Sequence, residues 1–346
     1  MLNAVPRKPV RVVIDMPPSP AALAALEGAP EYDLRFTEQP EETERRLPPE
    51  LLADADALFC STLPSNHADL LALRWVQIGS VGYSQLYGKG MAERGVCCTN
   101  AAGVQDRPIA EWNVAMMINL RRRAHVMLRN QERRLWDRDA AFQREISGLT
   151  VGLWGYGGIG QQTARLAKAL GLGVRALTLD GKLENRAGFY RVADTGDPDG
   201  RFVDRLFSPG QKAEFLDGLD FLILAIPLTP RTEGIVGAKE LACLPPTAFV
   251  LNPARGPLIR EEALVDALRA GVIAGAALDT HYQYPLPPDH PLWGMENVIL
   301  TPHISGSSRG NHFLARIWDV FSQNLRRFAC GQPLLNQLAP EQLNVS

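Results

Sequence analysis

The sequence predicts an α/β protein built on doubly wound parallel sheets, with more than one domain. Three observations carry this. Short apolar, β-branched runs alternate with helical patterns along most of the chain. A glycine fingerprint (Gly155, Gly157 and Gly160 in G-x-G-x-x-G) opens mid-chain, between an apolar run, Thr150 to Trp154, and a helical stretch, Gln161 to Leu170. The length of 346 residues exceeds one small core and leaves about 150 residues upstream of the fingerprint for another domain.

Taken in order, Val10 to Ile14, Ala57 to Cys60 and Trp75 to Ile78 read as strands of a layered βα unit. Arg107-Pro108-Ile109-Ala110-Glu111 starts a helix with Pro in its first turn. Apolar residues from Ile109 to about Leu128 then predict one long helix, buried between domains or against a second subunit. Beyond the fingerprint, Val174 to Leu179, Phe221 to Ile226, Ala248 to Leu251, Gly275 to Leu278 and Val298 to Leu300 are strand candidates. Helical patterns such as Glu261 to Ala270 separate most of them, as a parallel sheet requires. The final helix, Asn311 to Phe328, is expected to pack back on the first domain. Residues 181 to 213 break the rhythm with Gly181, Gly188, Gly196, Gly200, Pro209 and Gly210, and read as an irregular surface insertion at a subunit contact.

Hydrophobic content of 46% and charged content of 21% describe an ordinary globular protein. A net charge of -2 gives no reason to expect a nucleic acid or an anionic membrane as partner. No run reaches membrane-span length, and Met1 to Asp15 has no apolar core of signal-peptide size. Five cysteines without C-x-x-C make neither a disulfide framework nor a zinc site, so a cytoplasmic, reducing setting without a metal is expected.

The fingerprint has a physical reading. The first glycine makes the tight strand-to-helix turn, the second lets backbone N–H groups approach a pyrophosphate, and the third lets the helix pack closely. The helix N-terminus adds orphan donors and a positive dipole end. Gly155, Gly157, Gly158, Ile159 and Gly160 are therefore the candidate dinucleotide cradle.

Further segments fall in line with it: Gly79-Ser80-Val81-Gly82-Tyr83, Ile226-Pro227-Leu228-Thr229-Pro230, Asn252-Pro253-Ala254-Arg255-Gly256, Ala276-Ala277-Leu278-Asp279 and Thr301-Pro302-His303-Ile304-Ser305-Gly306. On these, the chain resembles the D-isomer-specific 2-hydroxyacid dehydrogenases over nearly its whole length. The resemblance implies two Rossmann-like domains with the active site in the cleft. A cofactor domain, 107–304, would be inserted into a substrate domain made of 1–106 and 305–346. It also implies NAD or NADP as cofactor, a 2-oxo or D-2-hydroxy acid as substrate, and a homodimer.

Arg255 follows a strand, where open α/β sheets place ligands, and a guanidinium matches a carboxylate bidentately. The resemblance assigns it the substrate carboxylate, with backbone donors from Val81 and Gly82. His303 has the side chain suited to proton exchange near neutrality. The resemblance makes it the general acid in reduction and the base in oxidation. His281 and His290 read as structural. Ile226, Pro253, Ala254, Asp279 and Gly306 fall on cofactor-contact positions, Asp279 on that of the nicotinamide carboxamide.

The chain departs from the family pattern at the acid that normally partners the histidine. By spacing from Asp279 and His303, that slot holds Tyr284, with Gln283 beside it. A phenol orients an imidazole by a hydrogen bond without supplying the charge that raises its pKa. A second departure is Thr178, where an acid usually meets the adenosine ribose. Asp180, two residues on, favours NAD, whereas Lys182, Arg186 and Arg191 are candidates for a 2′-phosphate. Ser61-Thr62-Leu63-Pro64, Tyr83, Tyr282 and Tyr284 are expected around the substrate, and Trp136 to reach a partner subunit. The alternatives are a formate dehydrogenase-like enzyme, in which a neutral group also faces the histidine, and a dinucleotide-sensing binding protein.

Overall fold

The computed structural model describes residues 8–26, 29–38, 44–138, 144–308 and 310–343. The chain divides into two compact units. The first comprises Met1–Val104, Arg186–Val192 and Ser308–Ser346, and the second Gln105–Asn185 and Ala193–Ser307. The expected division placed all of 107–304 in one domain. Residues 186–192 instead cluster with the first unit, because Tyr190 is buried there. Its hydroxyl donates to Asp319 Oδ2 (2.8 Å) and its N–H to Asn336 Oδ1 (2.9 Å).

The first unit is a five-stranded parallel sheet of β1 (Val10–Asp15), β2 (Tyr32–Phe36), β3 (Ala57–Cys60), β4 (Trp75–Ile78) and β5 (Cys97–Thr99), ordered β2-β1-β3-β4-β5. Both faces are covered, as parallel sheets require. Alternation along the strands divides the core: Val12, Ile14, Phe59 and Trp75 join one cluster, while Val13, Leu58, Val76 and Ile78 join the other. The last long helix, Asn311–Ala329, covers the first face with Trp318 and Phe321, so its expected place on the first domain holds. Phe321 stacks on Phe59 at 4.2 Å and on Trp75 at 5.6 Å between ring centroids.

The second unit is a seven-stranded parallel sheet. Its strands are β6 (Thr150–Trp154), β7 (Gly173–Leu177), β8 (Arg205–Phe207), β9 (Phe221–Leu224), β10 (Phe249–Asn252), β11 (Gly275–Leu278) and β12 (Val298–Leu300). The order β12-β11-β10-β9-β6-β7-β8 is doubly wound: the chain runs outward from β6 through β7 to β8, then returns to β9 and proceeds the other way. The switch point lies between β6 and β9, where such sheets bind ligands at their carboxyl ends. Helix Asp106–Arg122 packs on helix Gly158–Ala169, with a buried bond from Asn113 Nδ2 to Thr163 Oγ1 (3.0 Å).

Two expectations are corrected. The long helix is two, Asp106–Arg122 and Ala124–Glu132, broken where Arg123 takes a left-handed conformation (φ 52°). The second buries no residue, and Met127, Leu128, Leu135 and Trp136 are exposed. The 181–213 stretch is also not irregular throughout. It contains β8, which adds to the sheet edge through β7. The first seven residues of the stretch checked for a signal peptide lie outside the described ones. No helix among the described residues is long and apolar enough to cross a membrane. The aromatic stack gives a stability test. Phe321→Ala is expected to lower the unfolding free energy by about 3–5 kcal/mol in urea denaturation, and a loss under about 1 kcal/mol contradicts this packing.

Candidate active site

In the second unit, the predicted residues fall on loops that leave the carboxyl ends of parallel strands: Gly155 to Gly160 after β6, Thr178 and Asp180 after β7, and Ile226 after β9. Pro253 to Arg255 follow β10, Asp279 to Tyr284 follow β11, and His303 to Gly306 follow β12. Strand order, not sequence distance, brings them to one edge.

The turn after β6 has the form a dinucleotide needs. Gly155 takes φ +105°, and a Cβ there would strike the Ala225 carbonyl and approach Ile226. A Cβ on Gly160 would strike the Gly155 carbonyl, so the third glycine lets the helix sit against the turn itself. Gly157 caps the helix, which begins at Gly158 and presents its first-turn N–H groups without intrahelical partners. Both glycines thus let the turn close on the protein's own backbone, and the helix N-terminus beside it, with its free N–H groups and dipole, suits the charge of a pyrophosphate.

Beyond β10, Asn252 shapes the loop that carries Arg255. Its Oδ1 accepts from Ala254 N–H (3.1 Å), and its Nδ2 donates to the Arg255 carbonyl (2.8 Å). The half-buried guanidinium donates to the adjacent Ala254 carbonyl (2.7 Å) and has no ion-pair partner among the described residues. A half-buried cation without an acid is a site for an anion.

Asp279 lies at the end of β11 and is fully buried. Its Oδ1 accepts from Thr301 Oγ1 (2.5 Å) and Ile304 N–H (2.9 Å), and its Oδ2 from Ser305 N–H (2.9 Å). The carboxylate is enclosed by the loop after β12 and anchors it. The loop bears His303 at φ 58°, a left-handed conformation that costs a non-glycine residue about 1–3 kcal/mol and needs such bonds to persist. His281, which sequence reasoning treated as structural, adds to this anchorage. Its Nε2 donates to the Thr301 carbonyl (2.9 Å), the same oxygen that accepts from His303 N–H (3.1 Å).

His303 is exposed, and its imidazole has no hydrogen-bond partner among the described residues. Lost solvation on its packed side holds its pKa below the ordinary imidazole value. The Arg255 charge acts in the same direction, and Asp279 opposes both. Tyr284 lies beside it, ring centroids 5.5 Å apart and planes tilted by 49°. Its phenol oxygen, however, accepts from His281 N–H (3.2 Å), not from the His303 ring. The expected hydrogen bond is therefore replaced by ring contact, because the hydroxyl reaches back to the amide three residues earlier. Gln283 is exposed and makes no bond to His303.

At the adenosine end, the Thr178 hydroxyl is buried without a partner, whereas Asp180 is exposed and accepts from Lys182 N–H (3.1 Å). Arg186 and Arg191 lie on the segment that clusters with the first unit. Within the first unit, the Val81 and Gly82 carbonyls are held by Asn100 Nδ2 and Ser80 Oγ (2.7 Å each). Neither N–H has a partner among the described residues. Tyr83 accepts from Gln342 Nε2 (3.2 Å) at its hydroxyl and packs on the buried cluster around Leu86.

The sequence model of the family described as D-isomer specific 2-hydroxyacid dehydrogenase, NAD binding domain, matches residues 114–305. The chain belongs to this family. The dehydrogenase is 32% identical over 265 residues to a glyoxylate reductase of Thermofilum pendens, covering 74% of each. It is 30% identical over 299 residues to a hydroxypyruvate reductase of Blautia hydrogenotrophica, covering 82% of this chain and 85% of that one. In fold it is similar to the NADPH-dependent glyoxylate/hydroxypyruvate reductase of Sinorhizobium meliloti solved with NADP and sulfate. The TM-score is 0.75 at 24% identity, over 96% of this chain and 99% of that one. This dehydrogenase acts on CH–OH groups with NAD(P) as cofactor.

The anchored loop gives a direct test. Asp279→Asn, which replaces one of the two acceptor oxygens with an NH2 donor, should speed hydrogen exchange at Ile304 or Ser305 about tenfold or more, as one lost charge-assisted bond implies. Unchanged exchange at both amides would contradict the anchoring role.

Proposed function

We propose that this dehydrogenase interconverts a small 2-oxo acid and its D-2-hydroxy acid, with Arg255 binding the carboxylate and His303 exchanging the proton. The observation that carries this reading is the unpaired Arg255 guanidinium, close enough for its charge to depress the His303 pKa. In reduction, a protonated His303 donates to the carbonyl oxygen as that oxygen gains charge, while Arg255 holds the carboxylate and polarises the carbonyl. In oxidation, neutral His303 takes the hydroxyl proton. The nicotinamide, when bound, supplies or accepts the hydride at the substrate's second carbon. The partnerless N–H groups of Val81 and Gly82 support the part the family resemblance gives them as further donors to the carboxylate.

For the cofactor, the turn Gly155, Gly157, Gly158, Ile159 and Gly160 would hold the pyrophosphate. Ile226, Pro253, Ala254 and Gly306 would line the remainder. Asp180, the acid exposed after β7, supports NAD over NADP, since it would accept from ribose hydroxyls and repel a 2′-phosphate. Tyr284 touches His303 without charging it. Because lost solvation and the Arg255 charge lower the His303 pKa, its protonated form is less favoured than in an ordinary imidazole. Reduction should accordingly fall as pH rises through that depressed pKa, earlier than in relatives with an acid in this slot. A cytoplasmic homodimer completes the reading, supported by the exposed Leu128, Leu135 and Trp136.

The names of the relatives point to glyoxylate and hydroxypyruvate as first substrates. Assayed against these and larger 2-oxo acids, the enzyme should turn over with a preference for NADH. Arg255→Ala should lower kcat/KM about a thousandfold, the scale of two lost charge-assisted bonds, and leave dinucleotide affinity intact. Undiminished turnover in that variant contradicts the assignment. Tight dinucleotide binding with no turnover on any acid would instead favour a sensor.

A further inference from the structure

The insertion after β7 has a part to play in the second unit that catalysis does not call for. Tyr156 sits between Gly155 and Gly157, inside the fingerprint, and its ring is buried. Both of its polar ends are held. Its hydroxyl donates to Asp197 Oδ2 (2.7 Å), and its carbonyl accepts from Gln161 Nε2 (3.2 Å). Gln161 closes the ring, because its Oε1 accepts from Asp197 N–H (2.9 Å), while its own N–H donates to the Gly157 carbonyl (2.9 Å). Asp197 is 2% exposed and takes two further donors, Arg201 N–H on Oδ1 (2.7 Å) and Phe202 N–H on Oδ2 (2.8 Å).

A buried carboxylate with no ion-pair partner among the described residues depends on such donors, and losing one leaves it under-solvated. The phenol is therefore a required member of the network, and its position fixes the backbone on either side of it. Arg165 binds the Asp194 carbonyl, so the helix that begins at the glycine turn also grips the insertion. Burial lifts the Tyr156 phenol above the ordinary tyrosine range, and Asp197 adds to the shift, which keeps the phenol a donor at working pH.

We infer that residues 193–204 brace the dinucleotide loop, and that the Tyr156–Asp197 bond is a positioning contact that sets cofactor affinity. A loop held in its binding form before the ligand arrives loses less conformational entropy on binding. The bond does not touch substrate, so its removal should weaken the dinucleotide and spare the chemical step. The inference rests on dinucleotide binding at the glycine turn and is independent of which acid is reduced.

The test is titration calorimetry with NAD and NADH on the full chain and three variants. Tyr156→Phe keeps the ring and its packing and deletes only the hydroxyl. It and Asp197→Asn should each raise the dinucleotide Kd about five- to tenfold, one hydrogen bond's worth. At saturating cofactor, kcat and the KM of the oxo acid should stay within about twofold of the parent, and the double variant should fall short of the product of the two. Tyr190→Phe is the control: it deletes a comparable tyrosine–aspartate bond where the insertion meets the first unit, and should lower the melting temperature without changing Kd. In the unaltered protein, saturation with NAD should slow hydrogen exchange at Arg201 and Phe202, because coupling between loop and brace is reciprocal. An unchanged Kd in folded Tyr156→Phe overturns the inference. So does an equal loss of affinity in Tyr190→Phe, or exchange at Arg201 and Phe202 indifferent to NAD. The last needs no variant and decides the matter if Asp197→Asn does not fold.

Discussion

The carboxylate of Asp279 holds the loop that bears His303 in place. It lies at the end of β11, and the loop it binds leaves the neighbouring strand β12. Parallel neighbours lie about 4.8 Å apart, so a short side chain at the end of one reaches the loop of the next. Three donors from residues 301–305 converge on this one group, and His303 stands among them in a backbone conformation that would otherwise relax. The charge is tolerated in a fully buried position because each of its oxygens is bonded. Arg255 follows β10, the next strand along, so three consecutive strand ends carry Arg255, Asp279 and the loop of His303, the residues of the proposed chemistry.

Lost solvation is the largest influence on His303, and the Arg255 charge is the next. That charge attracts a carboxylate and depresses the imidazole pKa. A substrate anion on Arg255 would cancel that charge, so binding and protonation of His303 are linked, and each favours the other. Tyr284 neither contributes to this balance nor opposes it. Its hydroxyl is held by the His281 amide, and only its ring meets the histidine.

Much of this was legible in the sequence, for a physical reason. The central strands are buried on both faces, so they appear as continuous apolar runs, and the ligand loops follow them directly. The strands that escaped, β2, β5 and β8, are all at sheet edges. Tyr32–Phe36 is half-buried and carries Asp33 and Arg35, and Arg205–Phe207 is only three residues long. The helix break at Arg123 lies among three arginines, residues of good helix propensity with no glycine or proline to mark a stop. The Tyr156–Asp197 pair spans 41 positions and belongs to no motif, so only the fold brings it together. Asp279 was found by its family position, but its partners Thr301, Ile304 and Ser305 became visible only with the register of β11 and β12.

A histidine held by its loop, depressed by Arg255 and left without an acidic partner should show this in its own titration. The direct measurement is NMR of the His303 imidazole against pH, in the unaltered chain and in Tyr284→Glu. The expected midpoint lies below ~6.5 in the former and rises in the latter, where a carboxylate is restored to the slot. A midpoint above ~6.5 in the unaltered chain, or one that the added carboxylate leaves unmoved, would contradict that picture of the site.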